Sequence, residues 1–142
     1  MLTGAFIDRA KASGMNILLL DLGDLDDSFP TVSLMTAKSF QASKRKLVRA
    51  FRQGIGEAIH VFKSDLAAGQ RSLSKWLRSQ DKATLDSADK SYAPRISFPP
   101  YTELAGGQVA VDVKGKKAQE FVNEELLREL DKQGFFNSLQ KK

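Results

Sequence analysis

The sequence predicts an α+β fold in which a small mixed or antiparallel sheet of about four strands packs with a long central amphipathic helix and a C-terminal helix. Three observations predict it. Short apolar or alternating runs of strand length occur at Asn16 to Leu22, Thr31 to Met35, Arg95 to Phe98 and Gln108 to Val113. A stripe of apolar residues at three- and four-residue intervals runs from Leu47 to Phe62. An acidic amphipathic segment, Lys117 to Lys132, precedes Gly134 near the end of the chain.

In chain order, Phe6, Ile7 and Ala10 share one side of a short helix over residues 3–12, which Gly14 closes as a C-cap. Asn16 to Leu22 is an apolar run bounded by Gly14 and Gly23 and reads as a buried strand. The Gly23 to Ser28 turn follows, and Thr31 to Met35 reads as a second strand. From Ser39 the period changes to that of a helix, with Leu47, Val48, Phe51, Ile55, Ala58, Ile59 and Phe62 on the stripe and Ser43 as its N-cap. Gly54 and Gly56 inside that helix each cost about 1 kcal/mol relative to alanine, so they point to a kink or a close backbone neighbour.

A further helix over Asp65 to Ser79 turns Leu66, Leu73, Trp76 and Leu77 inward and Arg71, Lys75 and Arg78 outward. It either continues the long helix or breaks from it at Ala67-Ala68-Gly69. Residues 80–93, rich in Asp, Ser, Lys and Ala, read as a polar connection with room for one helical turn. A strand over Arg95 to Phe98 ends at Pro99-Pro100, Gly106-Gly107 turns the chain, and Val109, Val111 and Val113 alternate along a last strand. Phe121, Val122, Leu126, Leu127 and Leu130 line the C-terminal helix, leaving Phe135, Phe136 and Leu139 to dock on the protein's own core or on a neighbouring subunit.

With 142 residues, 42% hydrophobic and 27% charged, the chain has the size of one domain, 1–142. It contains no cysteine, which excludes disulfides, thiolate chemistry and sulfur-ligated metals. No apolar run reaches the roughly 18 residues of a membrane span. The expected setting is therefore the cytoplasm or a virion, with no membrane partner.

The net charge of +5 is unevenly distributed. Met1 to Ala37 has two basic residues against five acidic, Lys38 to Lys82 has eleven against three, and the remainder is balanced. A balance of +8 within 38–82 is what a polyanion-binding face presents. Lys44, Arg45, Lys46, Arg49, Arg52, Arg71, Lys75 and Arg78 are its candidate nucleic-acid-binding residues, with Trp76 and Phe40 as stacking partners for bases. The leading expectation is a nucleic-acid-associated, DNA-binding type of domain. The same cations also suit a solvated face that pairs with acidic segments. In an assembly subunit of a homo-oligomer, such as a virion component, they would meet the acidic helix of the next copy.

A third expectation rests on Asp112-Val113-Lys114, with Glu103 nine residues upstream and Glu57 on the long helix. Over about Pro94 to Leu130 this resembles the acid-x-Lys strand of the restriction-endonuclease-like nucleases. The resemblance implies Glu103 and Asp112 as Mg²⁺ ligands and Lys114 as the cation that stabilises charge at a phosphodiester. The family's usual Pro-Asp pair is replaced here by Pro99-Pro100-Tyr101-Thr102-Glu103. Outside that third expectation no cofactor and no metal site is foreseen: Asp21, Asp24, Asp26 and Asp27 lack the order of a calcium loop, and His60 is the single histidine. Walker, Rossmann and serine-hydrolase motifs are absent.

Overall fold

The computed structural model describes residues 5–16, 34–101 and 118–141. Its elements are α1 (Ala5–Ala12), α2 (Lys38–Ser43), α3 (Arg45–Ser64), α4 (Leu66–Leu77), α5 (Lys82–Tyr92), α6 (Glu125–Lys132) and α7 (Phe135–Gln140), with single 3₁₀ turns at Ala93–Arg95 and Ala118–Phe121. No strand occurs among the described residues, which overturns the expected α+β class and its four-stranded sheet. The structure described is helical.

The strand expected at Arg95 to Phe98 is replaced by the 3₁₀ turn and irregular chain. Pro94 starts that turn, and Pro99-Pro100 lack the N–H groups a ladder requires. The Lys63 ammonium also takes the carbonyls of Ala93 and Ile96, at 2.6 and 2.7 Å. Leu34 and Met35, the described end of the second expected strand, are irregular and exposed. The runs 17–22 and 108–113 lie outside the described residues.

The chain divides into two compact units, one of Met1–Leu20 with Ala58–Phe98 and the other of Asp21–Glu57 with Pro99–Lys142. In the first, α5 packs against both α1 and α4. Its buried side chains are Leu85 and Ala88. The expectation of a polar connection at 80–93 is corrected here. Asp81 accepts from the Thr84 N–H at 2.8 Å and caps an eleven-residue helix, whose Leu85, Ala88 and Tyr92 recur at helical spacing. Two buried apolar residues among polar ones gave too faint a period to register.

Helix α4 begins at Asp65 rather than running on from α3, because the Asp65 carboxylate accepts from the Ala68 N–H at 2.9 Å. It closes on Arg78 in the left-handed conformation, φ 50°. Gln70 on its inner side donates to Asp86 of α5 at 2.5 Å. Leu73 and Leu77 are half-buried as expected, but Leu66 and Trp76 are exposed, the latter at 76%.

In the second unit the core consists of Leu126, Leu127 and Leu130 of α6 with Phe136 and Leu139 of α7. Gly134, at φ 73°, turns the chain between the two helices. Full burial of Leu126, Leu130 and Phe136 stabilises the unit by about 1.5–3 kcal/mol each. The expected continuous helix 117–132 is a 3₁₀ turn, an irregular link and then α6. Phe136 docks within its own unit, settling one of the two alternatives for the aromatic tail.

The long helix forms where its period predicts, with two corrections. Ser43 does not cap it: Ser43 is the last residue of α2, and its hydroxyl donates to the Phe40 carbonyl at 3.3 Å. Backbone bonds from Lys44 N–H to Phe40 O (2.8 Å) and from Val48 N–H to Lys44 O (3.0 Å) carry the winding through the junction. The second correction is the side that faces inward. Leu47 and Phe51, at 59% and 54% exposure, point to solvent.

Candidate functional site: the two faces of the basic helix

Arg45, Arg49, Arg52 and Gly56 follow one another at spacings of four, three and four, so they share one face of α3. That face meets the C-terminal helices of its own unit. The Arg45 guanidinium bonds both Glu125, at 3.1 Å, and Glu129, which stand one turn apart on α6. Hydrogen bonding to Glu125 raises the Arg45 pKa above its ordinary value. Arg49 donates to the Gln133 side chain at 2.5 Å and Arg52 to the Asn123 carbonyl at 2.8 Å. Burial lowers the Arg52 pKa, against the opposing pull of Glu124 and Glu125, and its Nη1 is buried without a hydrogen-bond partner among the described residues.

At Gly56 the helices touch. A Cβ on this residue would lie 2.9 Å from Cε1 of Phe136, so a close neighbour, one of the two expectations, accounts for this glycine. Gly54 has nothing within 4 Å of its Cβ position.

Leu47 and Phe51, one turn apart, lie on the other side of α3, roughly 200° from Arg45 and Arg49 at 100° per residue, and are preceded in the chain by Phe40 of α2 and by Lys44, the non-helical residue between the two helices (φ −119°, ψ 34°). Phe40, Lys44, Leu47 and Phe51 are all exposed. In the N-terminal part of α3 the arginines are thus the side turned to the C-terminal segment, while Leu47 and Phe51 face solvent; Val48, Ile55, Ile59 and Phe62 of the same apolar stripe are half-buried.

The eight candidate nucleic-acid-binding residues therefore divide. Arg45 pairs with carboxylates of the C-terminal helix, while Arg49 and Arg52 bond the neutral Gln133 side chain and Asn123 carbonyl. Lys44 and Lys46 are exposed on the N-terminal part of α3. Arg71 and Lys75 on α4 and Arg78 at its C-cap are exposed, and the Lys75 ammonium lies 5.3 Å from the Trp76 ring centroid. The exposure of Phe40, Leu47 and Phe51 was not legible in the sequence although their spacing was, since periodicity locates an apolar face without saying what it faces.

Glu103, Asp112 and Lys114 lie outside the described residues, so the structure says nothing of their convergence. Glu57 is exposed on α3. His60 is half-buried with its ring 5.5 Å from that of Phe98, as a structural histidine would be. Among the described residues no three His, Cys, Asp or Glu side chains group to hold a metal ion. A shallow depression on α5, lined by Ala83, Asp86, Ser87, Lys90 and Ser91, is open to solvent. No helix among the described residues is long and apolar enough to cross a membrane. The expected descriptions as alpha+beta, DNA-binding, oligomeric and viral fare no better: the helical architecture overturns the first, and nothing supports the others. Comparison with protein-family models, with curated proteins and with solved structures finds no match.

Proposed function

We propose that this chain acts as a protein-docking module, in which the outward apolar stripe of α2 and α3 is covered by another polypeptide surface. The observation that carries the reading is the exposure of large apolar side chains at the start of the long helix. Phe40, Leu47 and Phe51 are 44%, 59% and 54% exposed, while on the opposite side of α3 Arg45 pairs with α6 and Arg49 and Arg52 bond Gln133 and Asn123 at its two ends. Leu34 and Met35, just before α2 in the chain, are also exposed, at 66% and 92%. Removing a large apolar side chain from water is worth about 1.5–3 kcal/mol, so three or more aligned side chains are a strong drive to association.

The test replaces Phe40, Leu47 and Phe51 with serine in the full chain. A docking surface gives a variant with unchanged far-UV circular dichroism, an equal or higher melting temperature, and loss of most binding of an apolar fluorescent dye. A variant that unfolds would place the stripe in the chain's own core and end the reading.

A second reading keeps nucleic acid as the partner, on a different face. Arg71 and Lys75 stand one turn apart on α4 and Arg78 caps its end, beside a tryptophan that is the only one in the chain. Phosphates would meet the cations and an unstacked base the ring. Titration with a single-stranded oligonucleotide should quench the Trp76 emission and weaken steeply with salt. No quenching at low salt sinks this reading.

A further inference from the structure

We infer that the polypeptide covering the stripe of α2 and α3 is acidic, presenting an apolar ridge edged by carboxylates. This rests on the docking reading above and specifies the partner's chemistry.

Charge decides between occupants. From Leu34 to Gly56 the sequence contains no aspartate or glutamate, and Lys38, Lys44 and Lys46 are exposed around Phe40, Leu47 and Phe51. Two copies of this face laid against each other would bring like charges together around an apolar contact, which opposes self-pairing. A surface with carboxylates beside apolar residues would instead pair with the lysines while covering the phenylalanines.

The opposite side of the same helix already shows that mode of recognition. There α6 carries Glu125 and Glu129 one turn apart against Arg45, while its Leu126 and Leu130 are fully buried. An acidic amphipathic helix is thus a partner that α3 accepts within its own chain. The outward side likewise sets cations, Lys44 and Lys46, beside exposed Leu47 and Phe51.

An anionic bilayer would also satisfy lysines beside apolar groups. The partner is assigned to protein because the charge pairing on α3 is made by carboxylates held one turn apart on a helix, a spacing that a fluid lipid surface does not hold in place.

The experiment uses the full chain and a labelled synthetic amphipathic helix of glutamate and leucine, with a twin in which lysine replaces glutamate. Anisotropy titrations should show the acidic helix binding at least about tenfold tighter than its twin. Leu47→Asp and, separately, Phe40→Asp should each weaken it about tenfold, and Lys44→Glu with Lys46→Glu should reverse the preference. Circular dichroism confirms that each variant is folded, and the two Asp variants lie on different helices, so a folding defect in one leaves the other as a test.

Equal affinity for the two peptides overturns the inference. So does absence of peptide binding together with capture by phosphatidylserine vesicles, or by an oligonucleotide, that Leu47→Asp abolishes. Self-association abolished by Leu47→Asp, with no peptide bound, places a second copy on the stripe and also overturns it. In each of these last cases the stripe remains a docking surface for something. Only when no probe and no self-association responds to the stripe variants does the docking reading fall as well.

Discussion

Cε1 of Phe136 lies 2.9 Å from the position a Cβ on Gly56 would take, so the buried ring occupies the space that glycine leaves on α3. The ring is 1% exposed and held edge-on by Phe135, with centroids 5.2 Å apart, which leaves it little room to yield. Gly56→Ala is therefore expected to destabilise the protein by about 1 kcal/mol, the overpacking cost exceeding the gain in helix propensity. Gly54→Ala, where the space is open, is expected to stabilise by up to about 1 kcal/mol. Denaturant unfolding of the two variants should give shifts of opposite sign.

The Arg45 pair with Glu125 and Glu129 is solvent-accessible, with 46% of the arginine side chain exposed. Its attraction is screened by salt. Arg45→Gln should lower the melting temperature slightly in dilute buffer and leave it equal to that of the wild-type chain near 1 M salt, where the Debye length is about 3 Å. A shift that persists at high salt would assign the residue a packing role instead.

Asp81 holds the first turn of α5 by accepting from both the N–H and the hydroxyl of Thr84, at 2.8 and 2.5 Å. Asp81→Ala should cost about 1 kcal/mol, and Asp81→Asn clearly less, since asparagine keeps an acceptor at the cap. Chemical denaturation measures both.

Tyr101 donates its hydroxyl to Asp131 at 2.9 Å while the Arg128 guanidinium lies 5.3 Å from the ring centroid. Burial and then the bond to Asp131 raise its pKa above the ordinary tyrosine value, with Arg128 opposing. The neutral phenol is the form that folding favours. Its contribution to stability is thus complete below about pH 10 and is lost as pH rises through the raised value. Absorbance titration should contain a late phenolate phase that Tyr101→Phe removes, together with part of the alkaline loss of stability.

The long helix and the helix of 65–79 were legible as elements because backbone hydrogen bonds four residues apart leave a local apolar period, which Leu47 to Phe62 and Leu66 to Leu77 carry. The helix at Lys82–Tyr92 was not legible, because its polar composition hides the Asp81 cap and leaves Leu85 and Ala88 as isolated marks. The strand expected at 95–98 failed for another reason. Its β-branched and aromatic residues suit a sheet, but Lys63, some thirty residues earlier, takes the carbonyls that a neighbouring strand would need.

By itself the sequence determined that the positive charge is concentrated in 38–82, that the chain has no thiol, and where an apolar stripe and a row of arginines run along one helix. Tertiary structure alone decided which of the two is covered. The partners of Arg45 and Arg49 lie 80 and 84 residues away. A period counted along the chain reports the sides of a helix, but only packing brings a distant segment onto one of them.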